Sequence, residues 1–540
     1  MQDEGRVSSA LDVLFLHVHK RNNFSWPIGQ FSFILYPPVG LLGLADYLRQ
    51  QNLSARVFHL AVEQKLDSST SPDSILSRHP AAIVGLDLHW HFQAYDVIEV
   101  ARQIRRAHPG TPILLGGITA SLFADEILRE FPFIDFVIRG DAEIPLRDLI
   151  REHKSGKNYG AVPNLVYRSG LSIRQNPITY VANGPLIDSI RFTDFTLMEN
   201  YQTYIRYFSR YIRLHNSMEN LQDLLFLRFP SFPVLIGRGC AFDCSFCGGS
   251  REAHMQIGAR PSTTVRSRSA VLDSIRDLEN LGFGFACLAS DCIPPHQADD
   301  FYTWIFDAMA KENIRIGLEV ERNFLPSVRF LDSFARLPRK DSSITLSPHT
   351  HNEELRRRNH LHRYSNEELD TCLNEMENRG VPSLICFTCG LPFESHNDLT
   401  DMVLHQRSLQ KRFKHVHIRT AIIEIEPGSG ISRNPERYDA KPERSTFLDF
   451  YRYHGHPGQN HWTALGYERA SCPSESDVKQ LYCRHFCRRF GGGWINPILC
   501  KSLGHLREAG LFPILDRVLS VDHNSPLKHS LEATNDSDRP

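Results

Sequence analysis

Three cysteines lie within eight residues of the stretch GRGCAFDCSFCGGS, residues 237–250. Cys240, Cys244 and Cys247 are spaced as C-x3-C-x2-C. A structural zinc site closes at four ligands, and the nearby chain offers no obvious fourth ligand. A [4Fe-4S] cluster held by three thiolates leaves one iron able to bind another molecule. The spacing therefore favours a cluster of this kind over a zinc site or a set of buried thiols without metal.

The stretch GRGCAFDCSFCGG resembles the CxxxCx(aromatic)C loop of the radical S-adenosylmethionine superfamily, with Phe246 in the aromatic position. The resemblance implies that Cys240, Cys244 and Cys247 hold the cluster, and that Phe246 and Gly249 lie beside S-adenosylmethionine. It also implies that the amine and carboxylate of S-adenosylmethionine chelate the open iron. One electron, from an external flavodoxin- or ferredoxin-type reductant, then cleaves the sulfonium to a 5'-deoxyadenosyl radical.

Six strand-like runs alternate with helical segments from this loop onward. They are residues 233–239, 285–291, 314–321, 343–348, 382–392 and 415–427. Six such units match the incomplete (β/α)6 barrel of this superfamily, here assigned to residues 231–435. The fourth helix begins with Ser365 and Glu368 in a capping-box pattern.

Polar residues at the ends of these runs are candidates for contacts to S-adenosylmethionine. They are Asp291, Glu319, Glu321, Arg322 and Ser347. Ser347 is the second residue of LSPHTHNEELRRRNH, residues 346–360. This stretch is similar to the ES-G-S-x-x-x-L-x-x-x-N-R segment of relatives but departs from it at Pro348 and His349. The turns GLP (390–392) and EPGSG (426–430) also resemble family segments. The alternative for each polar residue is a solvated strand end or a helix cap.

Residues 1–155 alternate short apolar runs with amphipathic helices. The runs cover residues 11–18, 54–61, 81–88, 111–117 and 134–140. This alternation predicts an α/β, doubly wound, Rossmann-like domain with a parallel sheet, whose ligand binds beyond the carboxyl ends of the strands. Two glycine-marked turns lie there, Gly116-Gly117-Ile118-Thr119 and Gly140-Asp141-Ala142-Glu143. No GxGxxG follows the first strand, so an ordinary dinucleotide site is not supported.

The two halves together resemble the cobalamin-dependent radical S-adenosylmethionine enzymes across residues 10–435. The segments YPPVGLLGLADYLR, ILLGGITAS and VIRGDAEIPLRDL are similar to conserved stretches of those relatives. The resemblance implies cobalamin contacts, and the candidates for them are Gly116, Gly117, Thr119, Gly140, Glu143 and His19. Neither His17 nor His19 stands in the DxHxxG pattern of the wider cobalamin-binding fold, and His89 follows the third strand instead. A base-off cobalamin without a histidine ligand is therefore expected.

The resemblance implies a methyltransferase of a specialised-metabolite pathway such as antibiotic biosynthesis. A methyl group would pass from S-adenosylmethionine through methylcobalamin to an unactivated carbon of a small molecule. Catalysis would rest on the cofactors, and no further side chain is assigned to it. One alternative is a non-methylating cyclisation, ring contraction or oxidation with the same cofactors. Another is a non-catalytic cobalamin or redox sensor.

Charge and hydropathy narrow the classes of partner. The chain of 540 residues carries 61 basic and 62 acidic side chains, so nothing indicates the basic face that nucleic acid requires. No apolar run approaches the ~20 residues that span a bilayer. The first residues are typical of a buried strand rather than a signal peptide, which favours a cytoplasmic protein acting on small molecules.

Three regions have weaker patterns. Residues 156–230 are expected to form a linker with a helical segment that carries Arg206, Arg210 and Arg213 on one face. Residues 436–520 are expected to form a small helical cap near the substrate, and 521–540 a disordered tail. Four cysteines in the C-terminal part either bind a second metal or are buried thiols. They are Cys472, Cys483, Cys487 and Cys500.

Overall fold

The computed structural model describes residues 10–19, 38–208, 231–289, 292–293, 295–455 and 466–469, together with 473, 474 and 478. Two parallel sheets account for most of this part of the chain. Within it, no helix combines the length and the apolar composition needed to cross a membrane.

The first sheet has seven strands in the order β2-β1-β3-β4-β5-β6-β7. These are β1 Leu11–His17, β2 Ala55–His59, β3 Ala81–Asp87, β4 Ile113–Gly116, β5 Phe136–Ile138, β6 Leu165–Ser169 and β7 Ser172–Gln175. The five strands β1 to β5 pair in parallel, as expected for apolar runs separated by helices. The helices of this half are α1 Val39–Gln50, α2 Leu60–Leu66, α3 Pro72–Arg78, α4 Ala94–Ala107, α5 Ile118–Leu122, α6 Ala124–Glu130 and α7 Glu143–Lys154. A 3-10 turn, His91–Gln93, precedes α4.

The last two strands of this sheet lie in the segment that the sequence assigned to a linker. β6 pairs antiparallel with β5, and β7 pairs antiparallel with β6. The hairpin extends the sheet of the first domain beyond residue 155, so that β7 and not β5 is its edge strand. Helices α8 Gly184–Ser189 and α9 Tyr201–Thr203, with the π-helical turn Tyr204–Phe208, complete the described part of this segment. Arg210 and Arg213 lie outside the described residues.

The second sheet has six parallel strands in the order β15-β14-β13-β12-β11-β8. These are β8 Ser231–Pro233, β11 Phe285–Leu288, β12 Gly317–Arg322, β13 Ser343–His349, β14 Ser383–Cys389 and β15 Val416–Ile422. Connecting helices are α10 Arg251–Gly258, α11 Arg268–Asn280, α12 Pro295–Glu312, α13 Val328–Ala335, α14 Glu353–Arg358, α15 Asn366–Asn378 and α16 His396–Arg412. The structure confirms the predicted fold class, a doubly wound domain followed by a parallel-sheet domain. The predicted capping box at Ser365 and Glu368 is also confirmed.

The predicted first strand of this domain, 233–239, is split in two. Only β8 belongs to the six-stranded sheet, whereas β9 Gly237–Arg238 pairs antiparallel with β10 Thr264–Val265. A side chain at Gly237 would collide with the backbone of Thr264. Glycine therefore permits the close pairing that carries the chain out of the sheet and into the cysteine-rich segment.

One apolar core is continuous between the two sheets. The ring of Phe195, just before α9, lies 4.8 Å from that of Phe232 on β8 and 5.4 Å from that of Phe283. A second core covers the other face of the first sheet. Because buried aromatic rings pack closely, the shared core fixes the two sheets relative to each other.

The segment after residue 429 contains both helix and strand. It comprises α17 Gly430–Arg433, the 3-10 turn Pro435–Tyr438, β16 Ala440–Pro442, α18 Phe447–Gly455 and β17 Tyr467–Arg469. β16 and β17 form an antiparallel pair, a feature that the expected helical cap does not include. Helix α18 lies on the first domain, where Phe447 packs between the rings of Phe123 and Phe131. The Glu126 carboxylate accepts hydrogen bonds from the first backbone N–H groups of α18.

We predict that Phe447→Ala lowers the free energy of unfolding by about 3–5 kcal/mol, because Phe447 is fully buried and its loss leaves a cavity. Urea unfolding followed by circular dichroism measures the change. Leu404→Ala is the control, since Leu404 is 56% exposed and its truncation should cost no more than about 0.5 kcal/mol. Equal midpoints for both variants would contradict the docking of α18.

Candidate functional site

The cysteine loop, residues 239–250, connects β9 to α10 and carries three thiols in one turn-rich segment. Cys247 donates its backbone N–H to the carbonyl of Cys244 over 3.1 Å. The backbone N–H groups of Phe242 and Gly249 lie 3.4 and 3.3 Å from the sulfurs of Cys240 and Cys247. Backbone donors of this kind stabilise a sulfur that carries negative charge.

The three thiols share one electrostatic environment. Burial, together with the neighbouring Cys240, raises the pKa of Cys244 to about 12, and burial raises the pKa of Cys247 well above its usual value. Without a cation these thiols stay protonated at neutral pH. Metal ligation deprotonates thiols, so closely spaced, half-buried thiols with backbone donors fit an iron–sulfur cluster. Gly249, predicted to contact S-adenosylmethionine, lies beside Cys247.

Asn359 is hydrogen-bonded to Ser245 in the middle of the cysteine loop. Ser245 donates its backbone N–H to the Asn359 carbonyl over 3.0 Å and its hydroxyl to the Asn359 side-chain oxygen over 2.7 Å. The Asn359 amide in turn donates to the carbonyls of Leu355 and Pro392. Asn359 is fully buried, so these bonds fix both the loop and the GLP turn.

Glu426 holds the other side of the loop. Its carboxylate accepts the backbone N–H of Gly248 over 2.6 Å, and its own N–H donates to the Phe246 carbonyl over 3.3 Å. Burial raises the pKa of Glu426, while the Gly248 bond opposes that shift. A side chain at Gly248 would collide with the Pro427 carbonyl. The EPGSG segment thus contacts the cysteine loop directly.

His349 was not among the predicted site residues, yet it packs on the cysteine loop. Its ring meets Phe246 edge to face at 5.4 Å, and its Nδ1 lies 2.9 Å from the Thr388 hydroxyl. Burial lowers the pKa of His349 to about 3, so the ring is neutral at neutral pH. Its backbone φ of +63° is unusual for a residue other than glycine and follows a register shift in β13. The departure of Pro348-His349 from the family pattern was the available signal.

Strand alternation decides where the predicted S-adenosylmethionine residues point. On β12, Glu319 and Glu321 face away from the helical layer, whereas Leu318, Val320 and Arg322 are buried on the opposite face. The thiol of Cys287 on β11 donates a hydrogen bond to the Glu319 carboxylate over 2.8 Å.

Arg322 does not share that face. Its guanidinium lies over the rings of Tyr302 on α12 and Phe330 on α13, at 4.7 and 5.1 Å. Arg322 directly follows Glu321 on the strand and therefore faces the opposite side. Its contact with S-adenosylmethionine stays a prediction. On β13, Ser347 faces the same side of the sheet as Thr345, whereas Ile344 and Leu346 face the other side. Asp291 lies outside the described residues.

The predicted cobalamin edge of the first sheet divides into open and closed positions. Gly116 has open space where a side chain would extend. Gly117, with φ +108°, is packed against the backbone of Leu88 and His89. The Thr119 hydroxyl donates to the His89 carbonyl over 3.0 Å, and Thr119 is buried in the packing of this loop.

Histidines also line this edge. His17 Nδ1 lies 2.6 Å from the Asp87 carboxylate, and its buried Nε2 has no hydrogen-bond partner among the described residues. Burial lowers the pKa of His89 to about 4. His19 is half-buried just beyond the end of β1. An open glycine and a buried nitrogen at the carboxyl edge fit a bound cofactor there.

The second glycine turn connects the two domains. Arg238, two residues before Cys240, bonds Asp141 over 2.9 Å and Glu143 over 2.5 Å. Arg260 bonds the other oxygen of Asp141 over 2.5 Å, and the Tyr180 hydroxyl donates to Glu143 over 3.3 Å. Glu143, expected to contact cobalamin, therefore forms an ion pair with an arginine of the other domain.

Gly140 belongs to the same contact. A side chain there would collide with the backbone of Gly258 at the end of α10. Gly140 therefore takes part in the packing of the two domains, and its contact with cobalamin stays a prediction. Neither arginine could be assigned from the sequence, because each lies about a hundred residues from its partners.

The C-terminal cysteines at positions 472, 483, 487 and 500 lie outside the described residues.

Two family models match the chain. Residues 34–150 match the B12 binding domain, and residues 234–405 match the radical SAM superfamily. The cysteine loop falls in the second match, and both glycine turns fall in the first.

Two curated relatives are similar over part of their length. An uncharacterized methyltransferase of Pyrococcus horikoshii is 24% identical over 226 residues, which cover 42% of this chain and 42% of that protein. An anaerobic magnesium-protoporphyrin IX monomethyl ester cyclase of Rubrivivax gelatinosus is 25% identical over 239 residues, 44% of this chain and 38% of that protein. The match thus covers less than half of either relative.

Two solved structures share the fold. The radical S-adenosylmethionine methyltransferase TsrM of Kitasatospora setae, with tryptophan and aza-SAM bound, has a TM-score of 0.59 at 16% identity, over 79% of this chain and 76% of that chain. The cobalamin-dependent S-adenosylmethionine radical enzyme OxsB, with aqua-cobalamin and S-adenosylmethionine bound, has a TM-score of 0.60 at 14% identity, over 97% and 75%.

We predict that Cys244→Ala abolishes the cluster, because two thiolates cannot hold it in the loop. Iron analysis and the visible absorbance of the anaerobically reconstituted protein measure the loss. Cys372→Ala serves as the control, since Cys372 is a buried thiol on α15, away from the loop. Retention of wild-type iron in Cys244→Ala would contradict the assignment.

We predict that Arg238→Met lowers the free energy of unfolding by about 3–5 kcal/mol, because it leaves the buried Glu143 carboxylate and the half-buried Asp141 carboxylate each short of a partner. Arg276→Met is the matched control. Arg276 bonds Glu312 at the surface, and an exposed pair contributes about 0–1 kcal/mol. Chemical denaturation of both variants measures the difference.

The effect of Arg238→Met should depend on pH. Burial opposes ionisation of Asp141, but Arg238 and Arg260 outweigh it, so the pKa of Asp141 lies below its ordinary value. The stabilisation by this depressed pKa is complete above the unfolded pKa and is lost as the pH falls through the folded pKa. The gap between wild type and variant should therefore narrow in acid, and a gap that widens there would contradict the pairing.

Proposed function

We propose that this chain, which joins a B12-binding domain to a radical S-adenosylmethionine domain, is a methyltransferase. It uses cobalamin, S-adenosylmethionine and a [4Fe-4S] cluster. The methyl group passes from S-adenosylmethionine, by way of cobalamin, to an unactivated carbon of a small molecule. The observation that carries the proposal is the link between the two cofactor loops, from Asp141 and Glu143 through Arg238 to Cys240.

Two cofactors can act on one substrate only if their loops face a common space. Arg238 and Arg260 both bond Asp141, so the turn after β5 is tied to the chain entering and leaving the cysteine loop. The continuous core around Phe195 holds the same orientation from the other side. When bound, the cluster would supply the electron that cleaves S-adenosylmethionine to the radical that activates carbon, and the corrinoid would supply the methyl group.

The side chains of the chain have positioning roles in this proposal. Asn359 and Glu426 fix the cysteine loop, so that Cys240, Cys244 and Cys247 converge on one cluster. Pre-formed geometry of this kind saves ordering entropy during the reaction. Glu319 and Glu321 lie on the face of the second sheet that is directed away from the helices, and we propose them as contacts to S-adenosylmethionine or substrate.

Methyl transfer is supported by the methyltransferases among the relatives and by tryptophan bound to the structural neighbour from Kitasatospora setae. By analogy, the substrate of this chain is a small molecule of a specialised-metabolite pathway, such as antibiotic biosynthesis. The electron donor is a flavodoxin- or ferredoxin-type protein, and the reaction takes place in the cytoplasm.

A second candidate function is cyclisation without methyl transfer. The anaerobic ester cyclase of Rubrivivax gelatinosus supports it, with 25% identity over 239 residues. The cofactor sites would be the same in both cases. Both reactions form 5'-deoxyadenosine, because both begin with the radical. Only methyl transfer also forms S-adenosylhomocysteine.

The test uses the full chain loaded anaerobically with cluster and cobalamin, reduced with titanium(III) citrate and given S-adenosyl-[methyl-d3]methionine. We expect one S-adenosylhomocysteine per cobalamin and a trideuteromethyl group on the extracted corrinoid, both read by mass spectrometry. The control is S-adenosyl-[methyl-d3]methionine with protein that lacks cobalamin, which should form no S-adenosylhomocysteine.

Other outcomes reject methyl transfer. Formation of 5'-deoxyadenosine with no S-adenosylhomocysteine supports the cyclase alternative. Formation of neither product, with both cofactors bound, indicates a sensor that does not turn over.

A further inference from the structure

We propose that His91, Glu424 and His454 form a site for a divalent transition-metal ion, separate from the cysteine loop. Each side chain offers one ligand atom, and these atoms all lie within 4.8 Å of one another. The three residues come from the loop after β3, the chain after β15 and helix α18. Two imidazoles and one carboxylate suit zinc or iron(II).

The distance between the two imidazoles is compatible with a shared metal. His91 Nδ1 and His454 Nε2 are 3.2 Å apart. Two nitrogen ligands of a tetrahedral zinc ion, each about 2.0–2.1 Å from the metal, are about 3.3 Å apart. The rings are already oriented towards each other, with centroids 5.3 Å apart. Small rotations of the side chains would therefore admit an ion.

Burial supports a built site rather than a surface coincidence. His91 is 4% and His454 2% exposed. Phe450 packs against the His91 ring at 5.0 Å, which shields one side of the pair from water. Because these side chains are already ordered, binding a metal ion would cost the protein little conformational entropy.

Each of the three elements is anchored by bonds outside the site. Gln93, two residues after His91, donates its side-chain amide to the Val18 carbonyl over 2.9 Å. Ile423 and Glu426, on either side of Glu424, donate backbone N–H groups to Cys389 and Phe246. Helix α18 is held by Tyr451, whose hydroxyl donates to Glu99 over 2.7 Å.

Arg444 is a positively charged side chain that lies near Glu424. Its Nη2 lies 3.9 Å from the Glu424 Oε1, longer than a hydrogen bond. The same guanidinium bonds Glu443 over 3.1 Å and lies over the Tyr453 ring at 3.9 Å. The contact to Glu424 is thus a charge interaction, and Arg444 keeps other partners if a metal takes the carboxylate.

The site would clamp three parts of the molecule together. Glu424 lies two residues before Glu426, which bonds the cysteine loop, and His91 lies two residues after His89, which contacts Gly117 and Thr119. A bound ion would therefore join the first domain, the end of the second sheet and helix α18. This role is structural and does not depend on the reaction that the chain catalyses.

Zinc is the probe for the test, because it has no redox chemistry that would disturb cobalt or iron. The full chain, loaded with cluster and cobalamin under anaerobic conditions, is titrated with Zn²⁺ against a chromogenic chelator. Iron content is followed throughout, so that replacement of the cluster is detected. We expect one zinc site per chain and a rise of the thermal midpoint with zinc.

His454→Gln and Glu424→Gln should each weaken zinc binding about 100-fold or more and remove the thermal shift. Glutamine at 454 can still hydrogen-bond His91, so the fold is preserved, as cobalamin content and circular dichroism will report. His405 lies on α16, and its ring packs beside that of His351. His405→Gln is therefore the matched control and should keep wild-type zinc affinity. The proposal is overturned if the loaded chain binds no zinc, or if both substitutions leave the affinity unchanged.

Discussion

The structure depends on one constraint, the fixing of a short loop from several directions by hydrogen bonds. Three thiols must meet at a single cluster, and the cysteine loop has too few residues to impose that geometry alone. Asn359 holds Ser245 from one side, and Glu426 holds Phe246 and Gly248 from the other. Because these contacts are buried and hydrogen-bonded, they hold the loop in one conformation in which the three thiols can meet. The barrel strands then serve mainly to bring the ends of three segments to this loop.

The second determinant is the contact between the domains. Buried charges are costly unless they are paired, so Asp141, Glu143, Arg238 and Arg260 stabilise only the arrangement in which all of them meet. These ion pairs fix the relative orientation of the two domains, whose apolar core is itself continuous between the sheets. Together they place the carboxyl edge of the first sheet near the cysteine loop. This juxtaposition is what a reaction with two cofactors needs.

Much of this fold could be predicted from sequence, because short apolar runs and cysteine spacing are local signals. The hairpin of β6 and β7 could not, since β7 is polar and mostly exposed and has no apolar alternation. The side of the strand that Arg322 faces could not be predicted, because it depends on register, which one sequence does not reveal. The protein partners of Glu143 and Gly140 could not be predicted either, because they lie far along the chain. His91 and His454, 363 residues apart, show the same limit.

The central claim is that the cluster and the corrinoid share one space between the two domains. The most direct measurement is electron paramagnetic resonance of the full chain, with cob(II)alamin bound and the cluster reduced by one electron to the paramagnetic [4Fe-4S]+ state. The account predicts that dipolar coupling to the cluster broadens and splits the cobalt signal, and that the coupling disappears in Cys244→Ala. Cobalt and cluster signals that simply superpose, with neither perturbed by the other, would contradict it.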